Sequence, residues 1–141
     1  MITVTNKQRT IPIDLKKVRR QIELILKTLK RAEFEVNVRY VSDREIAKYN
    51  EQFRKKQGPT DVLSCPTEDA EEKILGDILI APSYVKKDAI QRGVIFEDRM
   101  RLMLIHGILH LMGYDHISDA DYKVMRAKEI SLERKLFSAG L

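Results

Sequence analysis

Tryptophan is absent from the 141-residue chain, cysteine occurs once, at Cys65, and aromatic residues make up only 6%. One thiol cannot form an internal disulfide, so the fold must rest on a buried apolar core, and a reducing cytoplasm suits this cysteine usage. Long hydrophobic runs are also missing. Uninterrupted apolar stretches reach only a few residues, as at 102–105, whereas a bilayer needs ~20. The first seven residues lack the apolar stretch of a secretory signal. No repeat, low-complexity tract or linker divides the sequence, so a single domain over residues 1–141 is expected.

What is abundant is charge. Hydrophobic residues make up 43% and charged residues 33%, a globular balance that excludes a disordered chain. The net charge is +5, but residues 1–57 hold 15 Lys/Arg against 7 Asp/Glu, and residues 58–141 hold 11 against 14. A basic N-terminal half suits a polyanion such as RNA or DNA, whose phosphates it would neutralise.

Patterning predicts a mixed order of helices and strands. Residues 2–5 begin a strand. Asp14 opens a helix carrying Leu15, Val18, Ile22, Ile25, Leu26 and Leu29 at helical spacing. Phe34, Val36, Val38 and Tyr40 alternate with polar residues, as in a half-buried strand. Ser42 and Glu45 form a capping box, and Ile46, Tyr49 and Phe53 follow on one face of a helix ending near Phe53. Residues 54–60 form a basic loop stopped by Gly58 and Pro59. A short strand at 62–65 ends at Pro66, Glu68, Asp69, Glu71 and Glu72 form an acidic connector, and 74–80 is a further strand. Ser83 is expected to cap a helix running to Gly93, and 97–112 to form a central buried helix stopped by Gly113. Ser118 starts the last helix, with Tyr122, Met125, Leu132 and Leu136 facing inward. The class is α+β, with about four strands in a small sheet packed with helices.

Histidine is scarce too, yet all three copies, His106, His110 and His116, fall within eleven residues. Residues four apart on a helix lie one turn apart on one face, so His106 and His110 can hold one ion. Gly113 allows a positive φ, which returns the chain and brings His116 to the same point. Three neutral imidazoles with an open fourth position match a catalytic zinc centre, whereas a structural zinc is closed by a fourth ligand. Cys65 has the chemistry for that ligand, but nothing in its local pattern asks for it. Asp115 beside the last histidine either orients a ligand, transfers a proton or caps the turn. Asp77 is expected to accept a hydrogen bond from a neighbouring loop, and Met125 to belong to the core.

The spacing His-x3-His-x2-Gly-x2-His is that of the metzincin proteases, which carry a general-base glutamate directly after the first histidine. Here that position is Gly107, so a metzincin-like peptidase would lack its base.

The string from His106 to His116, His-Gly-x-Leu-His-Leu-x-Gly-Tyr-Asp-His, resembles the signature of the YbeY family of bacterial endoribonucleases. Arg54 followed by Pro59-Thr60-Asp61-Val62-Leu63-Ser64-x-Pro66 is similar to a second family segment, and Leu75-Gly76-Asp77-Ile78 to a third. Cys65 departs from the family's usual phenylalanine. The resemblance implies a small mixed sheet beneath helices with a zincin-like metal helix, and one Zn²⁺ on the three histidines. It also implies single-strand-specific cleavage of RNA in rRNA maturation, including the 3′ end of 16S rRNA, and in ribosome biogenesis and quality control. Arg54 matches the family's functionally important arginine. Arg54 and His110 are accordingly expected to carry catalysis, and Arg54, Lys55 and Lys56 to contact RNA, since a guanidinium offers bidentate stabilisation of phosphate charge. The partners implied are rRNA precursors and ribosomal subunits, with ribosomal proteins or assembly GTPases nearby, and no membrane or organic cofactor. A zinc hydrolase acting on peptides or small molecules and a non-catalytic, zinc-stabilised assembly factor are the competing readings.

Overall fold

A computed structural model describes residues 1–69 and 71–141. Along the chain run β1 (Ile2–Asn6), α1 (Leu15–Thr28), β2 (Glu35–Tyr40), α2 (Asp43–Arg54), β3 (Val62–Asp69), β4 (Ile74–Ile80), α3 (Pro82–Arg92), α4 (Phe96–Leu111) and α5 (Asp119–Ser138). The strands form one mixed sheet in the order β1-β2-β4-β3. β1, β2 and β4 are parallel, and β3 pairs antiparallel with β4 at the edge. This is the expected α+β class with a four-stranded mixed sheet. None of the described helices is long and apolar enough to cross a membrane.

Period-two alternation decides what each sheet face meets. Val36, Val38, Ile78 and Ile80 point into the main core with Ile22, Ile25 and Leu26 of α1, Leu104, Ile105 and Ile108 of α4, and Met125 and Leu132 of α5. On the other face, Leu63 and Leu79 form a smaller cluster with Val41, Ile46 and Ala81, against which Tyr49 and Tyr84 pack. Asn37 and Asp77 lie together on this second face, where the Asn37 amide donates to Asp77 Oδ1 at 3.0 Å. Asp77 therefore accepts from the neighbouring strand and not from a loop. Met125 is in the core as expected, 2% exposed.

The predicted caps at three helix starts form. Asp14 accepts from the Lys17 N–H, Ser42 from Glu45 and Ser118 from Asp121, each at 3.1 Å, satisfying amides that the helix itself cannot. α3 starts differently from the expectation. Ala81 is its N-cap with no side-chain bond, and Pro82 occupies the first turn, where its fixed φ suits a helix and its missing N–H costs nothing. Ser83 lies inside the helix.

β3 does not stop at Pro66. It continues to Asp69, so Glu68 and Asp69 are strand residues, and Glu71 and Glu72 lie in the turn that follows. Proline is tolerated there because β3 is an edge strand. Gly76 makes the pairing possible: at φ +138° a Cβ would strike the Cys65 carbonyl and lie 2.9 Å from Pro66 Cα. Tyr122 departs from the inward expectation, being 56% exposed, and Phe53, expected on one face with Ile46 and Tyr49, is 61% exposed. Residues 116–124 are all exposed, so α5 meets the core only from Met125 onward. Phe53 lies in the last turn of α2, past its buried Ile46 and Asn50.

Candidate metal centre

α4 is apolar nearly all round because it is buried nearly all round. Ile105, Ile108 and Leu109 are 0% exposed and Leu104 is 1% exposed. Glu97 and Asp98 sit in its first turn, where negative charge complements the helix dipole. The helix passes close to the sheet at Gly107, where a Cβ would lie 2.9 Å from Ile78 Cγ2. The Ser64 hydroxyl of β3 donates to the Gly107 carbonyl at 3.1 Å. A glutamate at this position would be driven into the sheet. The missing metzincin base thus has a packing reason, and the peptidase reading loses its geometry as well as its residue.

One residue before Gly107, the helix turns His106 outward, and His110 follows one turn later. Their Nε2 atoms are 3.0 Å apart. After α4 the Gly113 N–H donates to the His110 carbonyl at 3.0 Å and the Tyr114 N–H to Leu109 at 3.1 Å, with Gly113 at φ +95°. This reversal returns His116 to the pair, its ring centroid 5.4 Å from His106 and 5.2 Å from His110. One ring nitrogen from each histidine lies within 4.8 Å of the others, a set that could hold a metal ion. Asp115 caps the turn: its Oδ1 accepts from the Ile117 N–H at 3.2 Å. Cys65 lies elsewhere. Its neighbour Ser64 faces α4, so Cys65 points to the opposite side of β3, paired with Asp77. Burial, then Asp77, push its thiol up against a lesser pull from Arg39.

Sequence reasoning missed Glu129. This carboxylate is 6% exposed and accepts from His106 Nδ1 at 2.7 Å. Arg126 Nη1 holds its other oxygen at 3.3 Å. Burial alone would raise the Glu129 carboxyl, but the His106 and Arg126 contacts outweigh it and hold the group below its ordinary value. With its proton on Nδ1, His106 presents an unprotonated Nε2 to the other rings, the tautomer a metal requires. The available signal was an acid on the apolar stripe Met125, Glu129, Leu132, Leu136. Glu129→Gln should weaken metal binding at this centre, titrated with Zn²⁺ as the probe, by about 10-fold or more, the scale for outer partners of metal-bound histidines. Competition with a chromophoric chelator measures this, and an unchanged affinity would show that Glu129 only fills space.

The His110 ring is pushed toward its neutral form by burial first, then by His106 and His116, against the pull of its hydrogen bond to the Tyr114 backbone. A group with a depressed folded pKa contributes stability above its unfolded pKa and loses it as pH falls through the folded one. The metal-free protein should therefore lose melting temperature on acidification below about pH 6.5. His110→Leu should flatten that slope; identical slopes would show that the ring is not under this pressure.

The basic segment 54–60 contributes Arg54 and Thr60 to a cavity that the histidines share. α2 ends with Lys55 in the left-handed region, φ 54°. The side chain of Asn50, 4% exposed, donates to the Gly58 carbonyl at 2.9 Å. The Asn50 carbonyl accepts from the Lys56 N–H at 3.3 Å. Tied back in this way, the loop leaves Arg54 on the wall of a cavity of about 550 Å³ shared with Asp61, Ser64 and all three histidines. Lys55 and Lys56 are exposed and lie outside that lining. Asp61 is the carboxylate on the wall among the described residues. Its Oδ1 accepts from the Val62 N–H at 2.7 Å, and its Oδ2 lies 3.8 Å from Arg99 Nη2.

Fold and site together define an α+β protein with a three-histidine centre suited to a metal ion, in a cavity that an arginine also lines. The chain belongs to the YbeY family: the model described as Endoribonuclease YbeY matches residues 3–136. It is 41% identical over 109 residues to "Endoribonuclease YbeY" of Francisella philomiragia, covering 72% of this chain and 69% of the relative. It is 38% identical over 130 residues to the protein of the same name from Persephonella marina, covering 89% and 82%. The solution structure of TM1509 from Thermotoga maritima superposes with a TM-score of 0.71 at 31% identity, covering 99% of this chain and 91% of that one.

Proposed function

We propose that this chain is a zinc-dependent endoribonuclease, working as one domain in the cytoplasm, that cuts single-stranded segments of rRNA precursors, including the 3′ end of 16S rRNA. The observation that carries the reading is the shared cavity: Arg54 and the three histidines line the same space. His106, His110 and His116 would hold one Zn²⁺. When bound, the ion supplies a Lewis acid and lowers the pKa of water toward ~7. The remaining work falls to the protein. Glu129 holds the His106 proton on Nδ1, away from the centre. Arg54 donates two parallel hydrogen bonds to the phosphate and offsets the negative charge that accumulates there. Asp61, on the same cavity wall, would take a proton in the role that Gly107 cannot fill, its Oδ2 steadied by Arg99 at 3.8 Å. Lys55 and Lys56 attract neighbouring phosphates. Pre-ribosomal particles, with their proteins and assembly GTPases, are the setting in which such a substrate occurs.

The test compares a single-stranded rRNA fragment with the same sequence in duplex form, using protein stripped of metal and protein reloaded with one equivalent of ZnCl₂. Internal cleavage of the single strand that vanishes with the metal and returns with it supports the proposal. Undiminished cleavage by stripped protein would overturn the metal's part in it, and equal cleavage of duplex would overturn the strand selectivity.

A further inference from the structure

We infer that Phe53 is a stacking platform for an unpaired base of the RNA, flanking the phosphate that Arg54 engages. The inference rests on the nuclease reading above and adds a base-binding subsite to it. Tyr49 and Phe53 are four residues apart on α2, and their rings lie parallel, with planes 6° apart and centroids at 5.8 Å. Tyr49 is anchored, because it packs on the cluster of Val41, Ile46, Leu63 and Leu79. Phe53 stands on it 61% exposed, in a chain with only four phenylalanines. A single exposed apolar side chain is ordinary, but this one is held flat by a second ring and followed directly by the arginine of the cavity wall.

Its electrostatic setting matches the same ligand. Arg54, Lys55 and Lys56 carry no ion pair among the described residues, so their charge is available to phosphates. An aromatic face beside free cations is the usual combination for binding single strands, since every base has a π-face and the backbone is anionic. A base within a duplex keeps both faces covered by its neighbours and cannot use the platform. Phe53 would thus discriminate strandedness one residue along α2 from the arginine that lines the cavity.

The absence of tryptophan supplies the probe. Phe53→Trp places the only indole of the chain at the platform, on a surface position that leaves the core untouched. On rapid mixing of the zinc-loaded variant with single-stranded RNA, its fluorescence should be quenched before cleavage begins, and much less with the matching duplex. In parallel, Phe53→Ala and Phe53→Leu should raise KM for single-stranded RNA by about tenfold, with the effect on KM exceeding that on kcat, while Phe53→Tyr keeps the wild-type KM. Absent quenching, equal quenching by duplex, or a KM within twofold of wild type in Phe53→Ala would each overturn the assignment. If wild-type protein fails to cut RNA while the indole is quenched by single strands alone, the platform stands and the nuclease reading falls. If wild-type protein cuts and the indole is silent, the platform alone falls.

Discussion

His110→Ala should lose zinc binding and RNA cleavage together. Two imidazoles would remain, His106 and His116, with ring centroids 5.4 Å apart and the middle ring of the trio gone. A Lewis acid is worth several kcal/mol at a charged transition state, and each 1.36 kcal/mol is tenfold in rate. Cleavage should therefore fall by at least about 10³-fold. Folding should survive, because alanine is the best helix former and His110 is only partly buried. In the metal-free protein the Nε2 atoms of His106 and His110 are hydrogen-bonded at 3.0 Å, a contact that alanine removes. Metal-free His110→Ala should thus melt only a few degrees below metal-free wild type, since one part-buried hydrogen bond is worth about 1 kcal/mol. The two proteins should separate when ZnCl₂ is added. A ligand at ~1,000 times its dissociation constant stabilises the folded state by about 4 kcal/mol, roughly 10 °C for a domain of this size. Wild type should show that shift and the variant should not. A variant that still takes up one zinc with unchanged affinity would show that His110 is not a ligand.

Much of this centre was legible in the sequence because its determinants are local. The i, i+4 pair and the returning glycine lie within one stretch from His106 to His116, so helix geometry alone predicts the convergence. The helix caps were legible for the same reason, since Asp14, Ser42 and Ser118 each satisfy an amide three residues on. Most of the misses are nonlocal, the start of α3 at Ala81 and Pro82 instead of Ser83 being the local exception. Glu129 lies 23 residues from His106, and only the docking of α5 on α4 brings the two together. Asn50 reads as a polar interruption in a helix until the loop folds back and offers the Gly58 carbonyl. The extension of β3 through Pro66 depends on its being an edge strand, which the sheet order decides and the strand's own residues do not. Gly107 was read as a missing base, and packing supplies the cause: Ile78 occupies the space a side chain would need.

Arg54 tests a different link, because it lines the cavity without standing among the possible ligands. Arg54→Ala should lower kcat by about 10²–10³-fold, the scale on which loss of one preorganised donor to transition-state charge acts. Zinc affinity should stay within about twofold of wild type, since none of the three rings loses a hydrogen-bond partner. Arg54→Lys separates charge from geometry. A lysine keeps the point charge but not the planar pair of donors, so it should recover only part of the loss, with cleavage still roughly tenfold below wild type. Arg54→Glu should be the most damaging of the three, because it turns attraction for phosphate into repulsion within the cavity. The stability of all three should match wild type, because Arg54 is exposed and makes no ion pair among the described residues. Measured together on one single-stranded substrate, the order wild type, Lys, Ala, Glu at constant zinc content assigns Arg54 to the transition state. If zinc content falls in step with activity, the arginine instead supports the metal centre, and the basic loop must act through the fold of the cavity and not through the phosphate.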